Sequence, residues 1–334
     1  VRNIVLLSAA HTHTKGYVSR IAERDDCRLL AVWDDIEDRG KRYAESGDGQ
    51  YVGDLDTALG LDEADGFIIC DHNTRHTRLL EKAVPLGKPI FCEKPLTVTA
   101  DEATSIRSLV AQHGTPLLLG YFKPFAAPMR GVQEYINAGS LGTITHVSYR
   151  NAHTAAYGRW FDSPDLTWFT DPALAGGGAF MDMGTHAIHL LRTLFGTVER
   201  VLATIGNRCG IYPDVDDHGI ALCQFANGIV GTVEASWVQN GGAGGGLEVC
   251  GSDGTISDRD GFVVTAAGAD PVPVPPADSR PTQVDRLVAA LDGTIDEAEI
   301  DQDLDCAVDA VTIMEACYRS NQSGTWEDVG SVTE

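Results

Sequence analysis

Residues 3–35 read NIVLLSAAHTHTKGYVSRIAERDDCRLLAVWDD. A nearly continuous apolar run at 3–7 meets a polar turn at 8–13. A helical pattern covers 15–24, and a second apolar run at 28–33 ends in Asp34 and Asp35. Strand, helix and strand at this spacing form a βαβ unit, whose two strands lie parallel in one sheet. The runs do not alternate with polar residues. That is the pattern of strands covered by helices on both faces.

Outward from this unit the rhythm continues. Further strands are predicted at 66–70, 89–92 and 116–120, with helices at 77–84 and 100–113 between them. Residues 1–120 are therefore expected to form an α/β domain, a Rossmann-type doubly wound parallel sheet. After 121 the pattern changes. A helix at 127–137 is followed by strands at 144–150, 199–205, 219–225, 229–237, 246–251 and 262–266, and Asn227-Gly228 marks a tight hairpin. A helix at 177–195 interrupts them, a Pro-rich loop covers 269–281, and helices follow at 283–291 and 301–320. Residues 121–334 are expected to form an α+β domain with a mostly antiparallel open sheet, its C-terminal helices placed to pack back on the first domain.

Composition narrows the function. A chain of 334 residues with 43% hydrophobic content is long enough for two cored domains. A net charge of −23 argues against nucleic acid and anionic membranes as partners. There is no apolar stretch of about 20 residues and no signal-like N-terminus, so a cytoplasmic location is expected. The eight cysteines include no C-x-x-C pair and suit buried thiols of a reducing compartment. His11 with His13, and His72 with His76, have no third ligand at a recognisable spacing, so no metal is expected.

The first βα turn of such a domain ordinarily carries G-x-G-x-x-G, which lets the backbone approach a dinucleotide pyrophosphate. Here Ser8, Ala10 and His13 hold the glycine positions, with His11 and Thr12 between them. Asp34 ends the second strand, where a carboxylate accepts ribose hydroxyls and repels a 2′-phosphate. It favours NAD over NADP.

Three further motifs carry a resemblance. Gly87-Lys88-Pro89-Ile90-Phe91-Cys92-Glu93-Lys94-Pro95 resembles a G-K-x-V-x-x-E-K-P signature. Cys70-Asp71-His72-Asn73-Thr74-Arg75-His76 resembles a T-P-N-x-x-H loop, with Asn73 and His76 kept. Gly176-Gly177-Gly178-Ala179-Phe180-Met181-Asp182-Met183-Gly184-Thr185-His186 resembles G-G-G-x-x-x-D-x-G-x-H. Together, and in this order, they are similar to the glucose-fructose oxidoreductase / inositol dehydrogenase / rhizopine catabolism (Gfo/Idh/MocA) family over nearly the whole chain.

The resemblance implies an NAD(P)-dependent dehydrogenase acting on CH–OH groups of a sugar, cyclitol or polyol. It implies a homodimer or homotetramer built through the second-domain sheet. Cofactor contacts are expected from Ser8, Ala10, His11, Thr12, His13, Asp34, Cys70, Asn73, His76, Glu93 and Lys94. Substrate contacts are expected from Lys123, His153, Tyr157, Trp160 and Asp182. Oxidising an alcohol requires a base for its proton and positive charge beside the developing alkoxide. Lys94, Asp182 and His186 are the expected catalytic set, with the proton assigned to either His186 or Lys94. Two other readings use the same scaffold: a glycosidase or epimerase that oxidises only transiently, and a non-catalytic sugar or nucleotide sensor.

Overall fold

The computed structural model describes residues 1–242 and 244–330. The chain divides into two units. Unit 1 comprises 1–120, 161–176 and 281–308; unit 2 comprises 121–160, 177–280 and 309–334.

Unit 1 holds strands β1 (Arg2–Leu7), β2 (Cys27–Trp33), β3 (Gln50–Tyr51), β4 (Gly66–Ile69), β5 (Ile90–Cys92) and β6 (Leu117–Leu119). They form one sheet in the order β3-β2-β1-β4-β5-β6. Every neighbouring pair is parallel. The helices are α1 (Thr14–Ala22), α2 (Glu37–Ser46), α3 (Leu55–Leu59), α4 (His76–Ala83) and α5 (Ala100–His113). The strand order reverses between β1 and β4, and doubly wound sheets bind ligands beyond the strand ends at such a reversal. Ser8, Asp34, Cys70 and Glu93 each immediately follow β1, β2, β4 and β5. The sheet thus brings four sequence-predicted residues to one edge of unit 1.

Two later segments complete this unit. Residues 161–176 carry the short helix α7 (Pro172–Ala175), and 281–308 carry α9 (Gln283–Leu291) and the start of α10 (Glu297–Ser323). Val284, Leu287 and Val288 of α9 join the core formed by Ile4, Leu6, Ile21, Ile68 and Phe91.

Unit 2 holds β7 (Ile144–Ala152), β8 (Val198–Gly206), β9 (His218–Phe225), β10 (Val230–Ser236), β11 (Gly245–Gly251), β12 (Thr255–Asp258), β13 (Phe262–Thr265), β14 (Val272–Pro273) and β15 (Glu327–Asp328). Their order is β14-β13-β12-β11-β7-β10-β9-β8-β15. All neighbours are antiparallel except β7 and β10. Alternate residues of β9 and β10 are buried, so one face of the sheet is core and the other is not. The core face packs Val147, Val201, Ala221 and Val233 with Phe180, Leu190 and Leu191 and, from α10, Ile313 and Met314. Helix α6 (Ala127–Asn137) adds Val132.

The helix predicted at 177–195 is in two parts. A π-helical turn spans Phe180–Gly184, and α8 (Thr185–Phe195) continues from it. π turns inside helices recur at functional sites. The turn is seated by absent side chains. A Cβ on Gly178 would lie 1.9 Å from the Asp216 carbonyl oxygen, and one on Gly219 would lie 2.5 Å from the Phe180 ring. Gly178→Ala should therefore lower stability by about 3 kcal/mol or more, because the clash is with backbone and no rotamer relieves it. Gly16→Ala, on the exposed face of α1 with nothing within 4 Å of the new Cβ, should raise stability by about 0.5–1 kcal/mol. Urea denaturation of the two variants checks both signs.

Candidate active site

In unit 1 the first turn keeps a glycine-like backbone without glycine. Ser8 has φ +69°, the left-handed region. Its backbone N–H donates to Trp33 O, and its hydroxyl donates to Asp71 Oδ1 at 3.1 Å. Ala10 N–H and His11 N–H both donate to Cys70 O at 3.1 Å, so the turn is stitched to the end of β4. His13 is the N-cap of α1 but makes no side-chain cap bond. No side chain at that position satisfies the helix's first amides, which is the arrangement that receives an anionic ligand.

The His13 ring instead turns to Glu93: His13 Nδ1 lies 2.9 Å from Glu93 Oε1. Tyr17 donates its phenolic proton to the same oxygen. Glu93 Oε2 accepts from Lys94 N–H at 3.1 Å. Burial pushes the Glu93 carboxyl up, but the His11 and His13 imidazoles and Lys94 outweigh it and hold it well below the usual carboxylate range. Gly120 leaves room for this group, since a Cβ there would approach Glu93 Oε2 to 2.8 Å. Lys94 is itself buried.

Asp34 is buried and fully engaged. Oδ2 accepts from Ala9 N–H at 2.7 Å and Arg39 Nε at 2.9 Å; Oδ1 accepts from Ile36 N–H at 2.7 Å and Arg39 Nη2 at 2.9 Å. A carboxylate has about four lone-pair positions, and here all are used. A ribose hydroxyl must displace one of these donors to reach it.

The Cys70–His76 loop is held rather than open. His72 Nδ1 lies 2.6 Å from Asp71 Oδ1, Asn73 Nδ2 donates to Ala175 O at 2.9 Å, and His76 Nδ1 lies 2.8 Å from Pro95 O. The His76 ring stands between its own loop and the Glu93-Lys94-Pro95 segment, with Nε2 3.2 Å from Asp71 O, and burial lowers its pKa.

Trp168 of the returning segment lies on the first turn. Its Nε1 donates to Ala10 O at 3.0 Å, and its ring meets His72 at 5.1 Å and His11 at 6.1 Å between centroids.

In unit 2 the motif residues gather around the π turn. Asp216 anchors it by accepting from Gly178 N–H at 2.8 Å, Phe180 N–H at 2.7 Å and the Tyr318 hydroxyl at 3.0 Å. Asp182 Oδ2 accepts from Trp237 Nε1 at 3.0 Å. His153 Nε2 lies 4.0 Å from that oxygen. Ala155 N–H donates to His153 Nδ1 at 3.2 Å, which places the proton of the neutral ring on Nε2, toward Asp182. The His153 ring lies 4.9 Å from that of Trp160. Tyr157 and Trp160 are exposed large side chains.

His186 is buried with its ring edge-on to Tyr121 and near Phe122, both at 5.7 Å between centroids. His189 stacks flat on Tyr121 at 3.9 Å. Lys123 donates to the Tyr149 hydroxyl and to Asn151 Oδ1 at 3.1 Å, while Asn151 Nδ2 donates to Met183 O at 2.9 Å. Burial pushes the Lys123 ammonium below its ordinary value.

The predicted residues thus divide between two constellations. Ser8 to His13, Asp34, Cys70, Asn73, His76, Glu93 and Lys94 belong to unit 1. Lys123, His153, Tyr157, Trp160, Asp182 and His186 belong to unit 2. Sequence reasoning missed Tyr17, Arg39, Tyr149 and Asn151. It also gave Trp168 no place at the first turn. A basic residue five positions after Asp34 was the one visible hint of the Arg39 pair.

The comparisons agree with this two-unit fold. Residues 8–121 match "Oxidoreductase family, NAD-binding Rossmann fold", and residues 129–257 match "GFO/IDH/MocA C-terminal domain". The chain is 29% identical over 243 residues to the rhizopine catabolism protein MocA of Rhizobium meliloti, covering 69% of this chain and 72% of that one. It is 30% identical over 190 residues to levoglucosan dehydrogenase of Pseudarthrobacter phenanthrenivorans, covering 50% and 48%. An NAD⁺ complex of an inositol dehydrogenase homolog from Azotobacter vinelandii shares the fold with a TM-score of 0.84 at 20% identity, covering 98% and 97%. With an NAD-binding Rossmann domain in unit 1 and the matching C-terminal domain in unit 2, the chain belongs to the Gfo/Idh/MocA family of oxidoreductases.

Proposed function

We propose that this chain is an NAD-dependent dehydrogenase that moves a hydride between a carbinol carbon of a sugar, cyclitol or related polyol and nicotinamide. One observation carries this reading. Unit 2 gathers a buried histidine, a carboxylate fixed by Trp237, and a lysine held by Tyr149 and Asn151 around one π turn. Such a set binds hydroxyls and accepts a proton. The relatives named for rhizopine catabolism and levoglucosan support the substrate class.

Unit 1 fits a dinucleotide in its backbone. Ser8 keeps the left-handed turn, and no side chain of His13 caps α1. Ser8, Ala10, His11, Thr12 and His13 would hold the pyrophosphate, with Asn73 and His76 shaping the neighbouring loop. NAD, when bound, supplies the hydride acceptor.

His186 takes the hydroxyl proton, because an imidazole titrates near working pH. Lys94 places a cation at the oxygen that becomes alkoxide. Asp182, held by Trp237 and faced by His153, accepts a neighbouring substrate hydroxyl and orients the ring. Lys123 donates to a second hydroxyl, and Tyr157 and Trp160 offer faces to the sugar. The half-covered second face of the nine-stranded sheet supports a homodimer or homotetramer.

Mixing the protein with NAD and a panel of inositols, aldoses and anhydrosugars should produce NADH with at least one of them. Turnover without NADH would identify an enzyme that oxidises only transiently. His186→Ala and Lys94→Ala should each lower kcat by about 10²–10⁴-fold while NAD affinity stays within a few-fold. His189→Phe, which keeps the stack on Tyr121, should leave kcat near the unmutated value. Steady-state kinetics and calorimetric NAD titration read these outcomes.

Cofactor choice follows from the Asp34–Arg39 pair. Asp34 repels a 2′-phosphate, but Arg39 offsets part of that charge, so NAD should be preferred by a modest margin. Asp34→Ser removes the repulsion and frees Arg39 as a phosphate ligand. It should shift the affinity ratio toward NADP by about tenfold. An unchanged ratio would show that Asp34 does not read the ribose.

A further inference from the structure

The first turn joins two histidines to one buried carboxylate in a single cluster. His11, His13 and Glu93 converge from the turn and from the end of β5, with one ligand atom of each within 4.8 Å of the others. His11 Nδ1 lies 3.7 Å and His13 Nδ1 2.9 Å from the same oxygen, Glu93 Oε1. Three ligands around a tetrahedral zinc, each at about 2.0–2.1 Å, stand about 3.3 Å apart. The two separations to Glu93 Oε1 lie on either side of that value.

The ring orientations add to this. His11 turns Nδ1 toward both the His13 N–H, at 3.3 Å, and Glu93 Oε1. Two imidazole nitrogens then face one carboxylate oxygen in a site where the His11 and Glu93 side chains are only 1% and 0% exposed. Such an arrangement is stabilised by a cation between them. His13, as already noted, leaves its capping role to join the group. The first coordination shell is backed by a second: Tyr17 and Lys94 N–H fix the carboxylate.

We propose that His11, His13 and Glu93 bind one divalent transition-metal ion of the zinc type. Two imidazoles and one carboxylate suit zinc and leave a fourth position open, whereas calcium and magnesium take oxygen shells. This site goes beyond the dehydrogenase reading and stands or falls without it, because its test uses neither nucleotide nor sugar.

The metal-stripped full-length protein is titrated with zinc sulfate by calorimetry, and cobalt(II) is added as a spectroscopic probe. One equivalent of zinc per chain is expected. Cobalt should give visible d–d bands of a nitrogen and oxygen site, without a thiolate charge-transfer band. His13→Gln, at a partly exposed position and with its fold checked by circular dichroism, should weaken zinc binding by about 10²-fold or more. Glu93→Gln should do the same if it folds. No stoichiometric binding, binding unchanged in His13→Gln, or a thiolate band from the cysteines would each overturn the proposal.

Discussion

A buried carboxylate at the end of β5 organises unit 1. Glu93 is fully enclosed and charged, and a carboxylate in that position is tolerated only when its oxygens are matched by donors or cations. Its partners come from three places: the first turn through His13, helix α1 through Tyr17, and the chain beyond β5 through Lys94 N–H. Removing one partner of such a group costs about 3–5 kcal/mol. The requirement therefore fixes the turn, the helix and the Glu93-Lys94-Pro95 segment against one another, and Lys94 inherits its position from it. Gly120 is small because this carboxylate occupies the space.

The same device recurs. Asp34 accepts two backbone N–H groups and a bidentate arginine, Asp216 accepts two N–H groups and a tyrosine, and Asp217 accepts Arg208 and Cys209 N–H groups. In each case a carboxylate satisfies amides of a segment that has no regular ladder to do so. In unit 2 this lets a glycine run and a π turn present Asp182 and His186 on a defined backbone. Asp182 sits in the π turn and His186 in the first turn of α8, and Asp216 fixes the backbone that leads into both.

Much of this was legible in the sequence. The longer parallel strands of unit 1 are mostly apolar and separated by helices, and the hairpin at Asn227-Gly228 announces the antiparallel sheet. What escaped notice has physical reasons. Helix α2, EDRGKRYAES, is almost entirely polar and carries no apolar stripe, so neither the helix nor its Arg39 stood out. Strands β3, β14 and β15 are two residues long and exist only through their neighbours. The helix at 177–195 shows one continuous pattern, and the π turn within it depends on Gly178 meeting Asp216. Glu93 stands some eighty positions beyond His11 and His13 in sequence, so spacing alone gave no third ligand for the histidine pair. Trp168 lies in a stretch bounded by unit 2 on both sides, and nothing local indicates that it returns to the first turn.

The central claim is direct hydride transfer from a substrate carbon. Its sharpest test uses a polyol from the activity panel deuterated at the reacting carbinol, incubated with NAD and analysed by mass spectrometry of the nicotinamide. The account predicts one deuterium per NADH formed, with a slowed chemical step when the deuterated carbon reacts. Deuterium lost to water, or product formed with NAD unlabelled and unreduced, would contradict it.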